Sequence, residues 1–558
     1  MLKLSKFPFK TQKFAPKVSD NKSTSILLQA GFIRQTMAGV YTYTTLGLRV
    51  LEKIKNIVRE EMNNYGAFET LMPSLSPREL WDKTGRWGGI DVMFHVPAAN
   101  DKEYGLNSTH EEIVTPLMGE FIKSYKDLPA CVYQIQNKFR NEKRAKSGLL
   151  RGREFLMKDA YSFHADNEEF ERYYEGMKQV YLNVFARLGL AKDTFIAKAD
   201  GGTFTDKYSH EFQVKLPIGE DIIFLDPETG DCFNKEVAPS FVGTPNIADK
   251  ELKQKQDIEA IGIIGVEALS KALGVPAEKS TKTMMFEVDG RFIVASVRGD
   301  YEINTLKLQK ILGAKSIRLA SQELVKEKTG AEIGYAGIIN LPKNTELYLD
   351  DSIDGLTNFE TGTNKTGYHS INVNFGRDLE IPERFYDFKE AKLGDKNPTT
   401  GNIFEVFKAS EVGNIFPLET KFSSAFGLNF LDENNTLKIP LMGCYGIGVS
   451  RVMGVVAEYF LDEVGIAWPK NIAPATHYII VMGDNLYKAI LLAQEIEETG
   501  GEVIIDDREK IGFGQKASDS DLFGIQNRIV ISDNTLELGG YEIRKRGETE
   551  SKIISFAK

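Results

Sequence analysis

Apolar residues recur at helical spacing through Leu48, Leu51, Ile54, Val58 and Met62. This predicts a helix over Leu46–Tyr65, with Gly66 as its C-terminal stop. Phe68 and Leu71 then fit a strand that Pro73 ends or confines to an edge. A second stripe, Phe170, Tyr173, Met177, Tyr181, Val184 and Leu188, predicts a helix over Asp166–Leu190. Asp166 and Glu169 can form its capping box, and Gly189 closes it. Residues 113–125 are also helical in pattern, and Gln213–Leu216 alternates as a strand does. Residues 1–45 read as polar and irregular, apart from a short amphipathic piece over Ser25–Phe32.

Near Ile222 the character changes. A turn at Asp226–Gly230 and a charged, linker-like stretch over 246–258 precede a new α/β series. Its helices fall at Val266–Leu273 and Ile303–Leu312. Its strands fall at Thr283–Val288, Phe292–Val297, Ile338–Leu341, Leu347–Leu349 and Ile371–Phe375, the first two joined by a turn at Asp289-Gly290. Asp378 to about Phe407 reads as a return linker. The older pattern then resumes: Pro440–Arg451 runs from strand into helix through Gly443, Gly446 and Gly448. After a linker at Trp468–Pro474 the chain alternates β-α-β-α-β-β, which predicts a small α/β domain. Its closing strand carries Lys545 and Arg546, a candidate RNA-binding lip. The expected divisions are 1–223, an insertion over 224–407 with its linkers, 408–470, and 471–558.

At 558 residues the chain is too long for one core, and its 42% hydrophobic and 27% charged content is that of a globular protein. A net charge of −10 excludes a generally basic nucleic-acid coat, so a nucleic-acid partner needs local basic patches. Three separated cysteines without a CxxC pair exclude a zinc knuckle or a disulfide framework, and they suit a reducing cytoplasm. No apolar run reaches the length of a signal peptide core or a membrane span.

One basic patch is Phe139–Phe163, FRNEKRAKSGLLRGREFLMKDAYSF. Arg140 and Glu142 are two apart, so an extended backbone points both to one face. A basic, glycine-containing loop over Lys143–Gly152 follows, and the chain returns through Phe155. Fixed guanidinium groups match phosphate oxygens, although a solvated basic hairpin has the same composition. At STHEE, Thr109 can cap the next helix with Glu112 completing a capping box; this leaves Glu111 as a single exposed carboxylate, and a cap does not exclude binding. Arg451 falls in the first turn of its helix, where a cation opposes the helix dipole and an anionic ligand would relieve it.

These segments together resemble the signature motifs of class II aminoacyl-tRNA synthetases. RGREFLMKDAYSF, MGCYGIGVSR, STHEE and PRELWDKTGRW are similar to prolyl-tRNA synthetases of the bacterial type. So are KSTKTMMFEVDGRFIVASVRGDYEIN and YHSINVNFGRD in the insertion, and DDREKIGFGQKASDSDLFGI in the tail. The resemblance implies an α+β multidomain fold: an antiparallel-sheet catalytic core, an inserted α/β editing domain and a C-terminal α/β anticodon-binding domain. It implies activation of L-proline with ATP and Mg2+, transfer to tRNA(Pro), a homodimer with the helix before Pro73 at its interface, and a cytoplasmic location without membrane contact. By the same resemblance Arg140 and Arg451 are catalytic. Arg140, Glu142, Phe155 and Arg451 bind ATP, while Thr109, Glu111, Arg140, Phe163, His164 and His210 surround proline. Arg144 touches the tRNA acceptor end, and Lys279 and His369 belong to the editing site. Cys444 is read as a small residue at a tight junction. The chain departs from the family pattern at Asn414, where histidine is usual, in ADGGTFTDK at 199–207, and in EIGYAGIINLP.

Overall fold

The two long stripes form helices where their spacing places them. The computed structural model describes residues 1–16, 21–145, 147–242 and 251–556; Lys146 and the 246–250 part of the expected linker lie outside these. The elements around the site are α1 (Thr45–Asn64), β1 (Phe68–Glu69), α2 (Arg78–Thr84), α3 (Glu111–Phe121), β2 (Ala130–Phe139), β3 (Glu154–His164) and α4 (Asn167–Arg187). They continue with β4 (Ser209–Lys215), β5 (Glu405–Glu419), α5 (Lys421–Ala425), β6 (Leu441–Ile447) and α6 (Val449–Tyr459). α1 buries Val50, Leu51, Ile54, Val58 and Met62, whereas Leu48 of the expected stripe is exposed. Gly66 stops α1 at φ +88°, a conformation glycine adopts without a Cβ penalty. Asp166 caps α4 by accepting from the Glu169 N–H at 2.9 Å.

The chain divides into two compact units: residues 1–196, 201–220 and 408–558, and residues 197–200 with 221–407. In the first, the strands lie in the order β4-β5-β6-β3-β2-β1, antiparallel except for the parallel β1–β2 pair. One face packs on α1, α4 and α6 in a single core that includes Ile54, Tyr181, Phe185, Val452 and Val456. The other face carries a smaller cluster at one end, where Val114 and Met118 of α3 and Phe422 of α5 meet Phe163, Phe416 and Met442. The rest of that face is left for polar groups.

The C-terminal part of this unit has the expected strands His477–Val481, Val503–Asp506, Asn527–Ile531 and Tyr541–Lys545, with helices Leu486–Glu498 and Phe513–Phe523. Leu2–Lys3, expected to be irregular, adds a parallel edge strand on Ile504–Ile505. Ile33–Met37 and Val40–Tyr43 form a hairpin, also unexpected. The basic lip is reduced by one group, because Arg546 pairs with Asp462 at 2.8 Å.

The second unit holds a four-stranded sheet of Ile317–Leu319, Thr281–Val288, Arg291–Arg298 and Glu346–Leu349, and a three-stranded sheet of Gln256–Glu259, Tyr368–Val373 and Phe359–Gly362. Ile338–Leu341 is not a strand. The Asn364 side chain binds the Gly337 N–H (3.0 Å) and accepting carbonyls of Gly337 and Ile339, replacing a ladder, while Ile338 and Ile339 are buried. The expected return linker is packed rather than free. Phe388, Ala391 and Phe404 are buried, and Lys389 is enclosed among Asp350, Asp351 and Asp387.

Asp166→Ala removes the α4 cap, and we expect a loss of about 1 kcal/mol, seen as a lower thermal unfolding midpoint. Glu168→Ala, one exposed position into the same helix, should leave the midpoint within error; equal effects would contradict the capping account.

Candidate active site

Alternation along β3 aims Phe155, Met157, Asp159 and Tyr161 at the face not covered by helices. Phe155 and Met157 line a cavity of about 560 Å³ with Arg140, Glu142, Arg151, Glu411, Asn414, Gly446 and Arg451. Arg140 leaves the end of β2 with its guanidinium 5.3 Å from the Phe155 ring centre. Among the described residues no hydrogen bond or ion pair engages that guanidinium. Burial and the nearby Arg451 depress its pKa, whereas Glu411, Glu142 and Glu111 raise it; it remains a cation. Arg451, in the first turn of α6, donates Nε to the Leu150 carbonyl (2.7 Å) and Nη1 to Glu411 (2.8 Å). Asn414 also donates to Glu411, at 2.7 Å. Glu142 accepts from Arg151 Nη2 at 2.8 Å. The cavity is therefore a ring of oriented guanidinium groups with two carboxylates among them, over an aromatic ring.

Gly446 faces this space with no side chain; a Cβ there would lie 2.8 Å from Asn414 Oδ1.

Beyond Arg140 the sign of the charge reverses. The α3 N-cap is His110, with no side-chain capping bond, and Thr109 instead donates to Glu111 Oε2 at 2.5 Å. The capping-box reading of Thr109 and Glu112 fails because both glutamates turn inward and are fully buried. Arg86, buried just after α2, donates Nη1 to Glu111 (3.2 Å) and to Glu112 (3.0 Å). Thr84 donates to Glu112 at 2.8 Å, and the Cys444 thiol donates to Glu111 Oε1 at 3.1 Å. The Arg86 guanidinium packs on the rings of Phe204 (4.6 Å) and Phe422 (5.2 Å). Burial raises the Glu112 carboxyl to about 7, opposed by Arg86 and assisted by Glu111.

A buried network joins this acidic cluster to the sheet. His110 N–H donates to the Tyr161 hydroxyl (3.0 Å), which donates to Asp159 (2.9 Å). Asp159 forms an ion pair with Lys138 at 2.7 Å, both buried. Against its burial, the charge of Lys138 and hydrogen bonds from Lys138 and Gln134 hold the Asp159 carboxyl below its ordinary value; burial drops His110 to about 4, so the imidazole is neutral.

The structure thus brings Arg140, Glu142, Phe155 and Arg451 around one cavity, and Thr109 and Glu111 into the adjoining cluster. Phe163 sits in the apolar cluster under α3 and α5. His164 and His210 do not join them. His164 has the opposite parity on β3 and packs against Phe170 and Tyr173 of α4, and His210 contacts Tyr174 of α4 at 3.0 Å. Both are on the helix-covered face, which corrects their expected place around proline. Arg144 is exposed on its loop. In the second unit, Lys279 ends the turn Ala277–Lys279, directly before Ser280. Ser280 donates to Glu360, which holds His369 Nδ1 at 2.6 Å. Arg86, Glu411 and Lys138 were missed from sequence. TGRW drew attention to Arg86 as part of a motif, but its carboxylate partners lie 25 and 26 residues away.

The arginine-lined cavity at the glycine-rich strand–helix junction lies within the part of the chain that matches a class II aminoacyl-tRNA synthetase core. Residues 94–460 match the family described as tRNA synthetase class II core domain (G, H, P, S and T), and residues 477–558 match an anticodon binding domain. The proline--tRNA ligase of Bacillus mycoides (strain KBAB4) is 40% identical over 98% of this chain and 96% of its own length. That of Bacillus cytotoxicus is 39% identical over the same shares. Among solved structures, the Giardia lamblia prolyl-tRNA synthetase in complex with prolyl-adenylate shares the fold, with a TM-score of 0.56 at 15% identity, covering 95% of this chain and 74% of that one. The chain belongs to the proline--tRNA ligase family, and is a ligase forming aminoacyl-tRNA. No helix among the described residues is long and apolar enough to cross a membrane.

Lys138→Met would leave Asp159 buried beside a neutral histidine. We expect about 3–5 kcal/mol of destabilisation near neutral pH, shrinking as acid protonates Asp159, whose contribution exists only above its depressed pKa. Adding Asp159→Asn should recover much of it; a single variant as stable as wild type would contradict the ion pair's role.

Proposed function

We propose that the arginine-lined cavity joins L-proline to ATP, giving prolyl-adenylate and pyrophosphate, and that the same site then passes the prolyl group to the 3′ end of tRNA(Pro). The observation that carries this is Arg140. Its guanidinium lies over Phe155, unengaged among the described residues, and it feels the charges of Arg451, Glu411, Glu142 and Glu111. A group so placed meets both the amino-acid carboxylate and the α-phosphate, where negative charge accumulates during attack. Phe155 stacks the adenine, and Glu142 accepts from its exocyclic amine. Arg451, held in direction by Leu150 and Glu411, receives the γ-phosphate at the start of α6. Glu411 is the cavity carboxylate suited to a hard cation, and Mg2+ bound there with ATP would neutralise phosphate charge.

Thr109 and Glu111 receive the secondary ammonium of proline, and Phe163 backs the apolar side of that pocket. The chemistry needs no protein nucleophile, because the substrates attack one another; positioning supplies most of the acceleration. Arg144, exposed on the loop, contacts the acceptor end of the tRNA, and the C-terminal domain reads the anticodon.

A pocket sized for proline cannot strongly reject the smaller alanine, so a second hydrolytic site is needed to clear alanyl-tRNA. We assign this to the 221–407 unit, with Lys279 and His369. Two features support His369: it is buried and oriented by Glu360, and its Nε2 has no hydrogen-bond partner among the described residues. The enzyme acts in the cytoplasm as a homodimer. Phe68 and Leu71, 74% and 75% exposed beside α1, fit a contact with a second copy.

Arg140→Ala should lower proline-dependent ATP–pyrophosphate exchange at least about a hundredfold with the unfolding midpoint unchanged. Wild-type exchange would remove Arg140 from the reaction. For the second site, His369→Ala should slow deacylation of alanyl-tRNA(Pro) while leaving proline exchange intact; equal deacylation rates would exclude His369.

A further inference from the structure

We infer that Arg86 and Glu112 are positioning residues that set the charge of the ammonium site, and that binding of proline's ammonium at Glu111 expels one proton from Glu112 to solvent. The inference rests on Glu111 being the ammonium receptor, as proposed above. It starts from a charge count. Glu111 and Glu112 are buried side by side, and their ionic partner in the cluster is the single guanidinium of Arg86. With both carboxylates ionised the two share one ion-pair partner, so one negative charge is left out of water without a salt bridge of its own, which is unfavourable.

Two further cations act on Glu111 from beyond ion-pair distance: Lys138, which is already paired with Asp159, and Arg140, which makes no ion pair with either carboxylate. The other direct contacts supply no cation. Thr84 faces Glu112 from the end of α2, and Thr109 and Cys444 face Glu111 from the α3 loop and β6; all three are neutral donors. Lys421 of α5 is exposed and donates to the Thr203 carbonyl at 2.7 Å; Asp206, also exposed, adds charge of the wrong sign. Arg86 itself is wedged among the rings of Phe204, Phe422 and Trp81, so it cannot turn away to leave both carboxylates in need.

The free cluster therefore reaches neutrality by holding a proton. Glu112 is where that proton resides, in keeping with the rise of its carboxyl to about 7. A substrate ammonium at Glu111 supplies the missing positive charge. Glu112 then ionises: its O–H bond breaks, the proton goes to buffer, and the Arg86–Glu112 pair becomes fully ionic. Arg86 is thereby held toward Glu112, and Glu111 is left to Thr109, Cys444 and the ligand. An amino acid with a neutral or missing amine gains nothing from the exchange, so the pair also favours the charged imino acid.

Isothermal titration of wild-type enzyme with L-proline, in phosphate and in Tris buffers at pH 7, reads the proton directly. A buffer-dependent heat that reports net proton release, up to about one proton per proline, is expected, and no buffer dependence would overturn the inference. The proline KM in exchange should fall up to about tenfold from pH 6 to pH 8. Glu112→Gln should flatten that slope at the wild-type acid-side KM. This also separates Glu112 from Lys158, whose amine burial lowers to about 7 but which faces α4 on the other side of the sheet. If Glu111→Gln binds proline as wild type does, the ammonium-site reading fails. If Glu111→Gln loses binding while Glu112→Gln keeps the wild-type slope, only the inference here fails.

Discussion

The alternation of β3 is the constraint on which the site depends. Phe155, Met157, Asp159 and Tyr161 share one face; Lys158, Ser162 and His164 share the other. The first set meets the cavity, the charged network and the loop before α3. The second set meets α4 and Tyr445 in the core. A slip of one residue would exchange the two sets and place a buried lysine in the cavity. The long register with β2 and β6 fixes the observed alternative, and Gly446 of β6 leaves the cavity face open.

On that face the charges are graded. Arg140, Arg151 and Arg451 make one end positive, with Glu142 and Glu411 orienting rather than cancelling them. Glu111 and Glu112 make the other end negative, balanced in part by Arg86. An amino acid lying with its carboxylate toward Arg140 and its ammonium toward Glu111 follows this gradient, and its reacting carboxylate then faces the phosphate end. The neutral His110 and the paired Lys138–Asp159 fix the seam between the two ends without adding net charge. The buried polar groups at this seam are thus held in place by one another.

Much of this was legible from local pattern. The stripes of α1 and α4 gave both helices, and Gly66 and Gly189 gave their ends, because periodicity and a glycine stop are local signals. Arg140, Glu142 and Phe155 were found because the motif keeps them close in sequence. The edge strand Leu2–Lys3 was not legible, since its partner is at the far end of the chain and two residues carry no period. Arg86 and Glu411 were missed for a related reason: each acts through a residue supplied by another element. His164 and His210 were misplaced although a signal was present. Counting parity from Phe155 along β3 puts His164 on the α4 side, and His210 shares its parity with Phe212, which packs on Tyr181 of that helix.

The central claim is that one graded site selects proline and activates it with ATP. ATP–pyrophosphate exchange measured across a panel of amino acids tests this most directly. Stimulation by L-proline, with weaker stimulation by the smaller alanine, is the expected result. Exchange driven by threonine but not by proline would contradict it.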